Sequence, residues 1–208
     1  MADAYGAAAA PGPRQLGPGP IDVDDFRDVI GRFVTGVTVV TTAVAGKQFA
    51  ATVSALASLS LEPPMLLACL NRTSQTQSAI RKSRRFAVNI LSEHQQHVAR
   101  WCATKETTKL DAALTARGPT GMPVINDAVA YLECAVTDTI GGGTHTVFIG
   151  EVLHGHTTDR KPLVYYRGAL GGFADILNVS QPPSRSSQRI HAGGSDSPSI
   201  TAPRSARR

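Results

Sequence analysis

The chain has 208 residues, 42% hydrophobic and 18% charged, enough apolar material for one ordinary core, which excludes a disordered chain. Its net charge of +5 is concentrated at one end. Residues 181–208 hold five arginines (Arg185, Arg189, Arg204, Arg207, Arg208) against Asp196, so the body is nearly neutral and offers nucleic acid no basic face.

Residues 1–20 are mostly Ala, Gly and Pro, with neither a basic start nor a continuous apolar stretch; they predict a disordered arm rather than a secretory signal. "IDVDDFRDVIGRFVTG" places Val23, Phe26, Ile30 and Phe33 at helical spacing behind an acidic start and closes on Gly36, which predicts an amphipathic helix. "VTVVTTAV", the turn "AGKQ" and the next strand read as a hairpin leading into "AATVSALASLSLEPPM", a run of small apolar residues and hydroxyls that stops at Pro63 and Pro64. "MLLACL" predicts a strand, "RTSQTQSAIRKS" a helix, "RFAVNIL" a strand and "SEHQQHVARWCA" a helix. After a loop marked by Gly118, Pro119, Gly121 and Pro123 come three strand candidates, "AVAYLECAVTDTI", "HTVFIGEVLHGHT" and "PLVYYRG". Residues 180–208 are rich in Ser, Pro, Gly and Arg and predict a disordered basic tail. One domain over residues 21–179 remains, with about seven strands and three helices: an antiparallel barrel with helices packed outside.

Cys69, Cys102 and Cys134 are odd in number and lack CxxC spacing, which excludes a disulfide framework and a structural zinc site and suits a reducing cytoplasm. Cys69 and Cys134 lie in apolar runs and are expected to be small buried hydrophobes. No apolar run is long enough to span a bilayer. The histidines form no metal set: His94 and His97 lack a third ligand at helical spacing, and His154 and His156, on one strand face, could at most bind a metal weakly. There is no GxGxxG, P-loop or G-x-S-x-G motif.

Three features can carry chemistry. In the Ser-rich run, period two sets Thr52 and Ser54 on one side and Val53 and Ala55 on the other, and Ser58 and Ser60 add donors. Such a ledge admits a flat heterocycle close to the backbone, or is simply a strand edge facing solvent. In "CLNRTSQTQSAI", Asn71, Arg72, Thr73, Ser74 and Thr76 crowd a helix start, which suits an anion; ordinary capping by Thr73 or Ser74 explains it equally well. In "GGGTHTVFIGEV", a glycine-rich turn puts His145 at the mouth of a strand, as a ligand contact or as a surface residue.

Taken in order, "FRDVIGRFVTGVTVVTT", "TVSALASLSLEPPMLLACL", "RRFAVNILSEHQ", "GMPVINDAVAYLEC", "HTVFIGEV" and "PLVYYRG", from Phe26 to Gly168, resemble the short-chain flavin reductases, the small components of two-component flavin monooxygenases and halogenases. The resemblance implies a split β-barrel with Greek-key topology, a homodimer, non-covalent FMN or FAD, and hydride transfer from NADH or NADPH to flavin that is released to a separate oxygenase partner. It implies that Thr52, Ser54, Ala55, Ser58, Leu59 and Ser60 line the flavin ring, that Asn71, Arg72, Ser74 and Thr76 lie near its phosphate, and that His145 and Tyr166 help the nicotinamide stack. No residue is expected to act as acid or base, because the hydride passes directly between rings. The family's Gly-Asp-His is here Gly143-Thr144-His145, and Leu170 stands where the family often has an aromatic. A carrier that binds flavin without turnover, and an oxidase or oxygenase that retains it, remain the alternatives.

Overall fold

The computed structural model describes residues 19–104 and 113–173. All but the last two residues of the predicted N-terminal arm, the end of the predicted domain and the whole basic tail lie outside them.

Helix α1 (Val23–Ile30) opens with Asp22, whose carboxylate accepts from the amides of Asp24 and Asp25. It ends at Gly31, well short of the expected Gly36; Phe33 and Val34 continue the apolar spacing outside it. Strands β1 (Thr35–Gly36), β2 (Thr38–Val44), β3 (Lys47–Val53), β4 (Leu56–Leu61) and β5 (Pro64–Asn71) follow. Then come α2 (Gln75–Ser83), β6 (Arg85–Ile90), α3 (Gln96–Cys102), β7 (Thr115–Arg117) and β8 (Pro123–Ile125). The described chain finishes with β9 (Ala130–Gly142), β10 (His145–Thr157), β11 (Leu163–Tyr166) and β12 (Ala169–Gly172).

Several of these differ from the expectation. The Ser-rich run is two strands rather than one, broken at Ser54 and Ala55. The double proline does not merely end a ladder: Leu61 pairs with Pro64 across a tight turn containing a cis Glu62–Pro63 bond. The proline-rich loop carries the paired strands β7 and β8, and β1 and β12 flank β11 in a small sheet of their own. Cys134 is buried as expected, whereas Cys69 is only half buried.

The main sheet is antiparallel throughout, in the order β3-β2-β6-β9-β10-β5-β4. Its two edge strands are consecutive in the chain and separated only by Ser54 and Ala55, a link that spans about 10 Å at most. The sheet must therefore curl until its edges nearly meet. The amide of Cys69 in β5 reaches the carbonyl oxygen of Ala55 at 3.0 Å, but no ladder joins β3 to β5 among the described residues, so the curl is not closed by hydrogen bonds. The result is a mainly β fold with peripheral helices.

Alternation fills the inside of this curl with Val40, Val53, Leu66, Ala68, Leu70, Phe86, Val88 and Phe148, and Ile80 of α2 joins them. Gly150 is required there: a Cβ on it would stand 2.7 Å from the Phe86 ring and 3.0 Å from Cys134. A second cluster, Val39, Leu91, Val98 and Leu163 among others, seats α3 and β11 on the outer face. No described helix is long and apolar enough to cross a membrane.

Candidate active site

Where β3 leaves the sheet for β4, a groove of about 580 Å³ opens. Its floor is Ala50 to Ala55, small side chains on a strand end, with Cys69, Leu70 and Asn71 from the end of β5 alongside. One wall is Thr73, Ser74 and Gln75, the entry to α2; the other is Cys102, Ala103 and Thr104, the exit of α3; His145 stands at the rim. The volume falls within the range of small-molecule sites, about 300–1,000 Å³.

Each side chain is held by local structure. Val53 is buried in the core, so its neighbour Thr52 faces outward, and the Thr52 hydroxyl donates to the Ala99 carbonyl of α3 at 2.6 Å. The Asn71 side-chain oxygen accepts from the Thr73 amide and hydroxyl, both at 2.9 Å, which bends the chain into α2. At the N-cap of α2, Ser74 makes no side-chain capping bond, so the first-turn amides of a nine-residue helix lack the usual hydroxyl partner beside the groove. Asn71 and His145 are directly paired across β5 and β10, which puts the helix entry and the histidine side by side.

Thr52, Ser54, Ala55, Asn71, Ser74 and His145 therefore share one groove. The other expected residues do not line it. Ser58, Leu59 and Ser60 sit on the edge strand β4, where a bulge leaves Leu59 unpaired and the Ser60 hydroxyl accepts from the Glu62 amide. Arg72 turns to the β9–β10 hairpin, donating from Nε to the His145 carbonyl at 3.3 Å. Thr76 is fully buried, with a hydroxyl that has no partner among the described residues. Tyr166 is 44% exposed on β11, while its neighbour Tyr165 lines a second cavity of about 1,030 Å³. That cavity lies between α1, β1 and the far side of Ser54 and Ala55, which border both.

The residues missed from the sequence are Cys69, Gln75, Cys102, Ala103 and Thr104. Burial pushes the Cys69 thiol up and the Cys102 thiol up to about 11, so both stay protonated near neutral pH and present sulfur as small apolar walls. Among the described residues no three His, Cys, Asp or Glu side chains converge as metal ligands, and His154 and His156 instead flank the Tyr131 ring.

A curled antiparallel sheet that offers a small-residue strand end beside an uncapped helix start has the shape and charge to suit a flat, anionic ligand. The model of the flavin reductase like domain matches residues 30–174, and the chain belongs to this family. It is 43% identical over 160 residues to the reductase component of the 4-nitrophenol 4-monooxygenase/4-nitrocatechol 2-monooxygenase of Rhodococcus opacus, covering 77% of this chain and 86% of that one. It is 38% identical over 160 residues to the flavin reductase (NADH) of Kitasatospora aureofaciens, covering 74% and 84%. Among solved structures, the NADH:FAD oxidoreductase of Streptomyces globisporus C-1027, in complex with NAD and FAD fragments, superimposes with a TM-score of 0.71 at 33% identity, covering 76% of this chain and 96% of that one.

Proposed function

We propose that the protein is an NAD(P)H-dependent flavin reductase that reduces FMN or FAD and releases it to a separate oxygenase or halogenase. The observation that carries the reading is the groove itself: a floor of small residues for a flat ring, ending at the uncapped start of α2 for a phosphate. The fit is physical. Ala50, Ala51, Ser54 and Ala55 leave room for a ring against the β3 backbone, and the positive end of the α2 dipole borders the groove, where it would favour the phosphate of a flavin nucleotide.

In this reading Thr52, Ser54 and Ala55 seat the ring, and Asn71 and Ser74 orient the phosphate. His145 holds the nicotinamide at the rim, with Cys69 and Cys102 keeping water from the ring's side. Flavin and nicotinamide would supply the hydride chemistry between them, so the chain's part is alignment and exclusion of water rather than proton transfer. Ser58, Leu59, Ser60 and Tyr166 lie outside the groove and take no part in this reading of it. Arg72 and Thr76 act behind the first layer of contacts.

Assembly as a homodimer is part of the proposal. Phe26, Val29, Ile30, Phe33 and Val34, on and just after α1, are each half exposed or more, and apolar side chains so exposed favour burial against a second copy. Three free cysteines, with Cys134 pushed up to about 12 by burial and by the Glu133 charge, are consistent with a reducing cytoplasm.

The test is anaerobic reduction of a large molar excess of FMN or FAD by NADH or NADPH, followed as loss of flavin absorbance. Bleaching of many flavin equivalents per chain supports a released product; bleaching of one equivalent, or none, favours an enzyme or carrier that retains its flavin.

A further inference from the structure

Thr144 lies in the two-residue turn between Gly142 and His145, with its hydroxyl oxygen 2.9 Å from the Nδ1 atom of the His145 ring. The backbone on either side is pinned to one residue. The Arg72 amide donates to the Thr144 carbonyl at 3.0 Å, and Arg72 Nε donates to the His145 carbonyl at 3.3 Å. The Arg72 side chain also lies over Gly141, where an added Cβ would come 2.8 Å from Nη2. His145 is thus braced at its main chain by Arg72 and at one ring nitrogen by Thr144. No other described group bonds the ring.

An exposed histidine at a strand end samples several rotamers, and a partner at one ring nitrogen selects the orientation and decides which nitrogen a ligand meets. A hydroxyl can donate to Nδ1 or accept from it, so it holds the ring in either neutral tautomer. We propose that Thr144 is a positioning residue: it holds His145 by Nδ1 and reserves Nε2 for the carboxamide of the nicotinamide co-substrate. A carboxamide carries both a donor and an acceptor, so it pairs with Nε2 in either tautomer. The inference rests on the reading of His145 as a nicotinamide contact.

The experiment uses the full chain free of flavin. The readouts are the NADH dissociation constant from fluorescence and the ring ¹⁵N shifts of His145. Thr144→Val is expected to weaken NADH about five-fold, the size of one lost hydrogen bond, and to move the His145 Nδ1 resonance. Thr144→Ser is expected to restore both, and flavin affinity is expected to stay constant throughout. In a His145→Ala background, Thr144→Val is expected to add nothing. A Thr144→Val chain that binds NADH like the parent, or one that loses as much affinity without the His145 ring, overturns the proposal and leaves the His145 contact standing. Unchanged NADH affinity in His145→Ala overturns the contact, and the proposal with it.

Discussion

The hydroxyl of Thr52 donates to the carbonyl oxygen of Ala99 at 2.6 Å, tying the floor of the groove to the helix that forms its far wall. Thr52→Val keeps the branched shape and removes the bond. It is expected to cost about 1 kcal/mol of stability, as for a typical internal hydrogen bond, and to weaken flavin binding several-fold because Cys102, Ala103 and Thr104 lose their anchor. Thr52→Ser is expected to retain both. Urea denaturation and flavin titration of the two variants decide it; equal flavin affinity in all three proteins places the α3 wall outside the site.

Ser74 separates a structural role from a binding role. A serine that caps a helix typically costs about 1 kcal/mol when replaced by alanine, but the Ser74 side chain makes no capping bond. Ser74→Ala is therefore expected to leave the melting temperature within experimental error while lowering affinity for FMN. A melting temperature that falls, with FMN affinity unchanged, assigns the hydroxyl to helix capping.

Asp28 carries a pH signature. The Arg32 guanidinium, by hydrogen bond and charge, holds its carboxyl below the usual carboxylate value of 3.8; burial opposes this, and Arg167 lowers it further. The folded pKa is lower than the unfolded one, so the contribution is full above about 3.8 and is lost as pH falls through the lowered value. The groups are half exposed, so the effect is small and screened by salt. The difference in melting temperature between the parent and Asp28→Asn is expected to shrink on going from neutral pH to below pH 3.8. A difference that grows with acid contradicts this assignment.

Glu133 is a fully buried carboxylate that organises the β7–β8 segment from a distance. It accepts from the Thr120 amide at 3.1 Å, the Thr120 hydroxyl at 2.5 Å and the Met122 amide at 3.2 Å. Glu133→Ala leaves these donors without an acceptor and is expected to cost about 3 kcal/mol or more by denaturant unfolding. Glu133→Gln keeps one oxygen and is expected to cost less. Glu133 lines neither cavity, so turnover per folded molecule is expected to stay constant.

The parts legible in the sequence were those set by local pattern. The β2–β3 hairpin announces itself by β-branched alternation around Gly46, whose φ of 76° suits glycine, and β10 keeps its expected bounds, His145 to Thr157. The strands β1, β7, β8 and β12 are two to four residues long, too short to show a period; β1 pairs only with the distant β11, and the β7–β8 pair is held by Glu133 of β9. Phe33 continues the helical spacing of α1, yet the chain leaves the helix at Gly31. The same division runs through the groove. Thr52, Ser54, Ala55, Asn71, Ser74 and His145 lie at strand ends or a helix start marked by hydroxyls and glycines. Cys102 to Thr104 reach the groove through tertiary contacts, the packing of Val98 and Ala99 and the Thr52 bond to Ala99, and Ser58 to Ser60 leave it because β4 follows β5 away.

The most direct test of the account is NADH and NADPH oxidation by chain purified without flavin, with FMN or FAD added, for the parent and for Ala55→Trp, which fills the groove floor from an exposed position. Turnover is expected to rise with added flavin in the parent and to be lost in Ala55→Trp, while the melting temperature is kept. Oxidation indifferent to added flavin, or a filled groove that turns over like the parent, would contradict it.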